Sequence, residues 1–272
     1  MGLSLIIESM IGFTAAVSLA LVAALQVRGI VTPSTGGTTP GLTELIIALA
    51  VGTVFMLVAL RFKRGKRLFT TLFAISMFVG IGTLVGVFAP APVAVTAAVC
   101  AIALRYLVPR IITHDLVLVI GVAGAAMGIG LTTNWRTVLI FAAALSVYDL
   151  VAVYKTKHMI TLMKEVASRG ALFALVFTGR PRDLVANVRD ITPKAGFYFL
   201  GSGDVVVPAM IAVSALQISE AAALGAALGS FVGFAFTQVI FFSQSVRRPM
   251  PALPPIATGA ILGMLLVYFL KI

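Results

Sequence analysis

Charge is what this chain has least of. Only 11% of its 272 residues are Asp, Glu, Lys or Arg, against 60% hydrophobic, where a soluble domain carries about 25% charged residues. That shortage excludes an ordinary soluble domain and points to a polytopic membrane protein. Cysteine is scarcer still. Cys100 stands alone, so neither an intramolecular disulfide nor a cysteine-rich metal site can form. The two histidines, His114 and His158, read as near-interface residues, and no HExxH occurs, so zinc-protease chemistry is disfavoured. No Lys or Arg precedes the first apolar run and Glu8 sits in its opening turns, so a cleaved signal peptide is not expected there.

Long apolar runs are what the chain has instead. A helix needs about 20 residues to cross the bilayer core. Nine runs are candidate spans, some near the lower length limit, at 2–25, 45–60, 68–88, 91–107, 116–131, 137–154, 196–216, 218–242 and 253–270. The expected fold is an all-α membrane protein, one polytopic domain over 1–272 with nine transmembrane helices in one bundle. The formal charge of +11 describes topology rather than nucleic-acid binding. With 61–67 (RFKRGKR) on the cytoplasmic face, 17 of the 20 basic residues collect on that side, leaving Arg28, Arg136 and Lys271 for the other. That positive-inside pattern puts the N-terminus in the cytoplasm and the C-terminus outside.

Between spans, two connections are long. The 26–43 loop is rich in Thr, Gly and Pro and reads as irregular and exoplasmic. The cytoplasmic loop 155–195 is basic and holds one apolar stretch, 171–177, too short to cross as a helix. That stretch is expected either at the interface or packed back into the bundle. Glycines repeat at small-xxx-small spacing (Gly82 and Gly86, Gly124 and Gly128, Gly225 with Gly229 and Gly233, Gly259 and Gly263), which predicts close helix packing.

Two carboxylates lie well inside apolar runs: Asp149 in LSVYDLVAVY and Asp204 in FLGSGDVVVPAM. At 1.5 Å per residue they sit roughly 9 and 15 Å from the flanking Lys155 and Lys194, both in the cytoplasmic half. The other seven acids fall at span ends or in the basic loop and are expected to meet water or a helix N-terminus. An acid inside hydrocarbon is a functional-site hypothesis by default. A single one is also compatible with a protonated, structural role. Two invite three readings: proton relay, cation binding, or hydrolysis. Two ionised carboxylates at one depth are costly, and one protonated beside one ionised is the cheaper state. Acid–base hydrolysis needs that state, and a proton carrier would use it as well.

Gly201 and Gly203 flank Ser202 before Asp204, and Pro208 follows, so the helix is expected to open locally around the acid. Non-helical backbone at this depth must line a wet cavity or be buried in protein. An isolated GxGD is more often simple helix packing. Four prolines between Pro249 and Pro255 favour extended backbone before the last span, which Pro251, Ala252 and Leu253 open. Extended backbone can pair with a peptide strand.

Taken in order, SVYDLVAV around Tyr148 and Asp149, GSGD at 201–204 and PALP at 251–254 resemble the presenilin and signal-peptide-peptidase family of GxGD intramembrane aspartyl proteases. The elements fall on the sixth, seventh and ninth spans, and the resemblance covers the whole chain. Small size, the lack of large appended loops and Ser202 resemble microbial, archaeal presenilin homologues; eukaryotic presenilins usually carry leucine at that place. The resemblance implies that Asp149 and Asp204 form the catalytic dyad, with Tyr148, Gly201, Ser202 and Gly203 as active-site motif residues. It implies that Pro251, Ala252 and Leu253 engage substrate, and that the substrates are single-span transmembrane proteins or peptides cut within or near their spans. It implies no metal and no organic cofactor, and internal cleavage in the long loop, for which 171–177 is the apolar candidate. The expected partners are those substrates and the lipid bilayer, with no nucleic acid. The expected setting is the plasma membrane of a prokaryote, and oligomeric state is not legible. A rhomboid-type serine protease is disfavoured by the absence of a paired serine motif, and type IV prepilin peptidases by the YD and PAL elements. The rival from another class is a proton- or cation-coupled transporter or channel using the same two acids.

Overall fold

The computed structural model describes residues 2–28, 41–61, 65–154, 172–188, 191, 197–244 and 250–270. Six helices come first: α1 (Gly2–Val27), α2 (Leu42–Arg61), α3 (Gly65–Val85), α4 (Ala91–Leu107), α5 (Ile111–Thr132) and α6 (Trp135–Tyr154). Strand β1 (Ala174–Phe177), a 3-10 turn (Pro181–Val185) and strand β2 (Tyr198–Gly201) follow. The chain continues through α7 (Ser202–Ser214), a 3-10 turn (Ala215–Gln217), α8 (Glu220–Ser243) and α9 (Leu253–Leu270). Six of these helices are long and apolar enough to cross a membrane, while α4 and the Ser202–Gln217 run are shorter.

The expectation of an all-helical chain needs one correction. The seventh apolar run does not form a helix from 196 onward: Tyr198–Gly201 pairs antiparallel with Ala174–Phe177, and α7 begins only at Ser202. The apolar stretch in the long loop therefore packs back into the bundle as a strand, with all four residues of β1 buried. Being buried and paired, 174–177 is not presented as an internal cleavage site; the rest of that loop up to 171 lies outside the described residues.

Strand edges inside a bilayer need partners, because no water is there to supply them. Ser202 N–H donates to Phe173 O at 2.9 Å, which fixes the phase of the ladder. In an antiparallel pair bonded residues alternate, so Ala174, Val176 and Thr178 turn their backbone groups away from β2. Helical side chains meet that edge. His114 Nε2 lies 3.1 Å from Ala174 O, Asp115 Oδ1 accepts from Val176 N–H at 3.0 Å, and Glu8 Oε2 accepts from Thr178 and Gly179 N–H at 3.1 and 2.7 Å. Water and helix ends were the expected partners of Glu8 and Asp115; strand backbone is what they meet. His114, in the first turn of α5, is buried within the protein at 0% exposure. Arg105, counted from sequence with the cytoplasmic charges, is buried in the last turn of α4 over the Phe73 ring, donating from Nε to His114 Nδ1 at 3.0 Å.

Helix packing is closest where glycine allows it. A Cβ on Gly229 of α8 would fall 2.1 Å from Gly259 O of α9, so these backbones touch. On α3 the contact residue is Gly80, against Gly121 and Gly124 of α5. Gly82, expected at an interface, has nothing within 4 Å of its Cβ position; the spacing was right but its face points away from α5. α7 occupies the middle: residues 207–216 are all buried, with α1, α5, α6, α8 and α9 around them. At one end of the bundle, Arg28 and Glu220 pair at 2.7 Å and join the end of α1 to the start of α8.

Candidate active site

Asp149 sits near the end of α6, a helix of apolar side chains broken only by its hydroxyl groups, its first-turn arginine and this acid. It is 7% exposed. Its carboxyl faces the backbone N–H of Leu253, the first residue of α9. The next two residues, Pro254 and Pro255, have no N–H to offer. Proline is tolerated in a first turn because those donors lack helical partners anyway. Prolines expected to keep the segment extended thus fall on both sides of the boundary: Pro251 before the helix, Pro254 and Pro255 inside its first turn. Asp149 Oδ2 is buried and has no hydrogen-bond partner among the described residues.

Asp204 is the third residue of α7, whose N-cap is Gly201. A side chain at that position can fold back onto the N-cap N–H, and the Asp204 carboxyl does so, facing Gly201 N–H. The cap must be small for this. A Cβ on Gly201 would lie 3.1 Å from Asp204 Oδ2. Gly203, by contrast, is exposed and has nothing within 4 Å of its Cβ position. Ser202 extends the ladder through its N–H to Phe173 O, so sheet bonding runs to within two residues of the acid. Pro208 removes the N–H that would otherwise close the helical bond onto the Asp204 carbonyl.

The two acids share one design. Each carboxyl meets a backbone N–H at a helix N-terminus, Asp204 at its own helix and Asp149 at α9, an arrangement that favours a negative charge by about 0.3–1 kcal/mol. α9 packs against both α6 and α7, and Asp149 is close enough to Asp204 to act on it electrostatically. Two such carboxyls can hold one proton between them, one acting as acid and the other as base.

The remaining motif residues are placed unequally. Pro251 and Leu253 are buried, and Ala252 and Ser202 are partly so. Tyr148, next to Asp149, is 49% exposed on the adjoining face of α6. Two polar residues near Asp204 escaped notice in the sequence. Tyr198, 8% exposed, packs among Phe177, Phe241 and Phe242 and neighbours both Asp204 and Gln238. Gln238 is 0% exposed and donates to Ser9 Oγ at 2.9 Å. A polar group inside an apolar run was the signal that singled out the acids, and it would have found Gln238, which lies within 218–242, but not Tyr198, which stands at the start of 196–216. Among the described residues, no group of three or more His, Cys, Asp or Glu side chains could hold a metal ion.

Comparison with known proteins gives concordant results. Residues 8–271 match the family model described as signal-peptide peptidase, presenilin aspartyl protease. Two solved structures titled as a presenilin family intramembrane aspartate protease are similar over almost their whole length. The one in space group C222 is 26% identical with a TM-score of 0.68, covering 97% of this chain and 99% of that one. The one in space group P2 is 27% identical with a TM-score of 0.64, covering 95% and 97%. No match was found among curated proteins.

Proposed function

The chain belongs to the signal-peptide peptidase and presenilin aspartyl protease family, and from that membership we propose that it hydrolyses peptide bonds within or near the spans of single-span membrane proteins, with Asp149 and Asp204 as its catalytic pair. The observation that carries this reading is the convergence of α6, α7 and α9, which sets two carboxyls beside two helix N-termini. The ionised Asp takes a proton from water as the water oxygen attacks the scissile carbonyl carbon. The protonated Asp donates to the carbonyl oxygen. The tetrahedral intermediate collapses as the amide nitrogen accepts a proton and the C–N bond breaks. The proton belongs to the pair, so the two roles are interchangeable in this description.

Substrate must reach this pair unwound, because a helix hides its amides. The geometry suits an extended segment. Phe199 turns its backbone groups toward the outer edge of β2, where no described strand lies, and on the same edge the Gly201 N–H already faces the Asp204 carboxyl. A peptide strand added there would approach Asp204 past the open space at Gly203. Pro251, Ala252 and Leu253 hold the start of α9 against Asp149 and so form the opposite wall.

The proposed topology is one domain of nine spans, N-terminus in the cytoplasm and C-terminus outside, in the plasma membrane of a prokaryote. α2, α4 and the seventh run supply the three spans beyond the six long helices. In the seventh, β2 and α7 together cover about 33 Å, since a strand advances roughly twice as far per residue as a helix. That is enough for a core of about 30 Å.

The test is cleavage of a single-span peptide by purified protein. Asp149→Asn and Asp204→Asn are each expected to abolish it, with the fold retained. Cleavage surviving either change would overturn the pair. Family membership favours hydrolysis over transport by the same acids; ion flux in liposomes without proteolysis would reverse that preference.

A further inference from the structure

Why should three ionisable side chains from two helices be spent on a four-residue strand? His114 and Asp115 are consecutive on α5, and Glu8 lies on α1. Together they meet Ala174 O, Val176 N–H and the N–H groups of Thr178 and Gly179, along one edge of β1. Arg105 settles the histidine tautomer. Its Nε–H can only donate, so His114 Nδ1 accepts and Nε2 carries the hydrogen given to Ala174 O. The donors and acceptors match the alternation of the ladder: a carbonyl meets an N–H, and N–H groups meet carboxylate oxygens. On the opposite edge of the sheet no described strand pairs, and the Asp204 carboxyl faces the Gly201 N–H there.

We propose that Glu8, His114 and Asp115 are positioning residues for the protease site, closing the outer edge of β1 and fixing the sheet so that β2 is held ready for an extended substrate. The inference rests on the catalytic reading above and adds to it. The sheet leads directly into Asp204 through the Ser202–Phe173 bond, so a strand held from behind needs no further ordering when substrate pairs in front. Preorganisation of this kind acts on binding. Losing it weakens substrate before and during reaction alike, which raises KM while leaving kcat nearly unchanged. A merely structural role behaves differently: fewer folded molecules lower the apparent kcat and leave KM alone.

The test compares Asp115→Ala and Glu8→Ala with Asp115→Asn and Glu8→Gln, in full-length protein with a single-span peptide substrate. The alanine variants remove the acceptor. Asn and Gln keep an oxygen for the backbone N–H groups and replace only the other carboxyl oxygen with an NH2 group. The expected result is a KM rise of about three- to tenfold in the alanine variants, the scale of one lost hydrogen bond, with near-parental KM in Asp115→Asn and Glu8→Gln. Hydrogen exchange at Val176 should accelerate in Asp115→Ala, and at Thr178 and Gly179 in Glu8→Ala, but not in the amide variants. If Asp115→Ala does not fold, Glu8→Ala carries the same comparison from the other end of the strand. Unchanged KM with lowered kcat, or Asn and Gln variants as impaired as the alanines, overturns the proposal. Failure of the catalytic reading looks different: Asp149→Asn or Asp204→Asn would still cleave, whatever exchange at β1 shows.

Discussion

Gly201 and Gly203 stand two residues apart and answer to different neighbours. A Cβ on Gly201 would press on Asp204 Oδ2 at 3.1 Å, displacing a carboxyl of the proposed catalytic pair. A Cβ on Gly203 meets nothing within 4 Å, so the free enzyme has room for it and only an approaching substrate would feel it. Gly201→Ala is therefore expected to lower kcat by up to about tenfold, since the carboxyl must give by a few tenths of an ångström and displacements near 1 Å cost up to about a hundredfold. Gly203→Ala should instead raise KM while kcat stays close to the parent. It should also raise the melting temperature, because alanine is favoured over glycine inside a helix by about 1 kcal/mol. Steady-state kinetics of the two variants would check the split, and equal effects on kcat would count against it. At this scale the acids were legible because a carboxylate is costly in hydrocarbon, and two at similar depth point to a shared role. Glu8 and Asp115 were not, because near the end of an apolar run an acid looks satisfied by water. Only the strand behind them shows that their partners are backbone N–H groups.

Between elements, the contact of α8 with α9 is the most extensive in the bundle and is made by backbone meeting backbone. Without a hydrophobic drive between helices in lipid, such close approach supplies the packing. Gly229→Ala would set a Cβ 2.1 Å from Gly259 O, where no side chain can yield. The expected cost is about 1–3 kcal/mol of overpacking, seen as a lower thermal midpoint in detergent. Activity should fall too, because α9 carries the Leu253 N–H that faces Asp149. Gly82→Ala is the matched control: with open space at its Cβ it should shift the midpoint slightly upward. A comparable loss at both sites would contradict the packing account. The small-xxx-small spacing was legible as a pattern, yet it named Gly82 where the structure uses Gly80. Spacing reports that a glycine face exists; which face meets a partner depends on the neighbour's position. The strands were illegible for a similar reason. Ala174–Phe177 and Tyr198–Gly201 are each four residues long and lie some twenty residues apart, so no local periodicity joins them.

For the molecule as a whole, the distribution of charge and the packing of helices make one joint statement about sidedness. Basic residues concentrate in alternate connections, and the topology proposed from them puts Arg67 in the cytoplasm and both Arg28 and Glu220 on the opposite face. Arg28 and Glu220 do come together at 2.7 Å, as two residues on one face should. An exposed pair of this kind contributes little stability, so its value here is as a marker of which ends lie side by side. The proposed orientation can then be read directly. Cys100 is the only cysteine, so Cys100→Ser gives a cysteine-free background. In that background Glu220→Cys, at a position 67% exposed, should react with a membrane-impermeant maleimide on intact cells. Arg67→Cys, also exposed, should react only after permeabilisation. The inverse pattern would turn the molecule over and place both aspartates in the outer half of the bilayer. Substrates would then be cut toward their exoplasmic ends, so the labelling experiment also decides which half of a span the protease can reach.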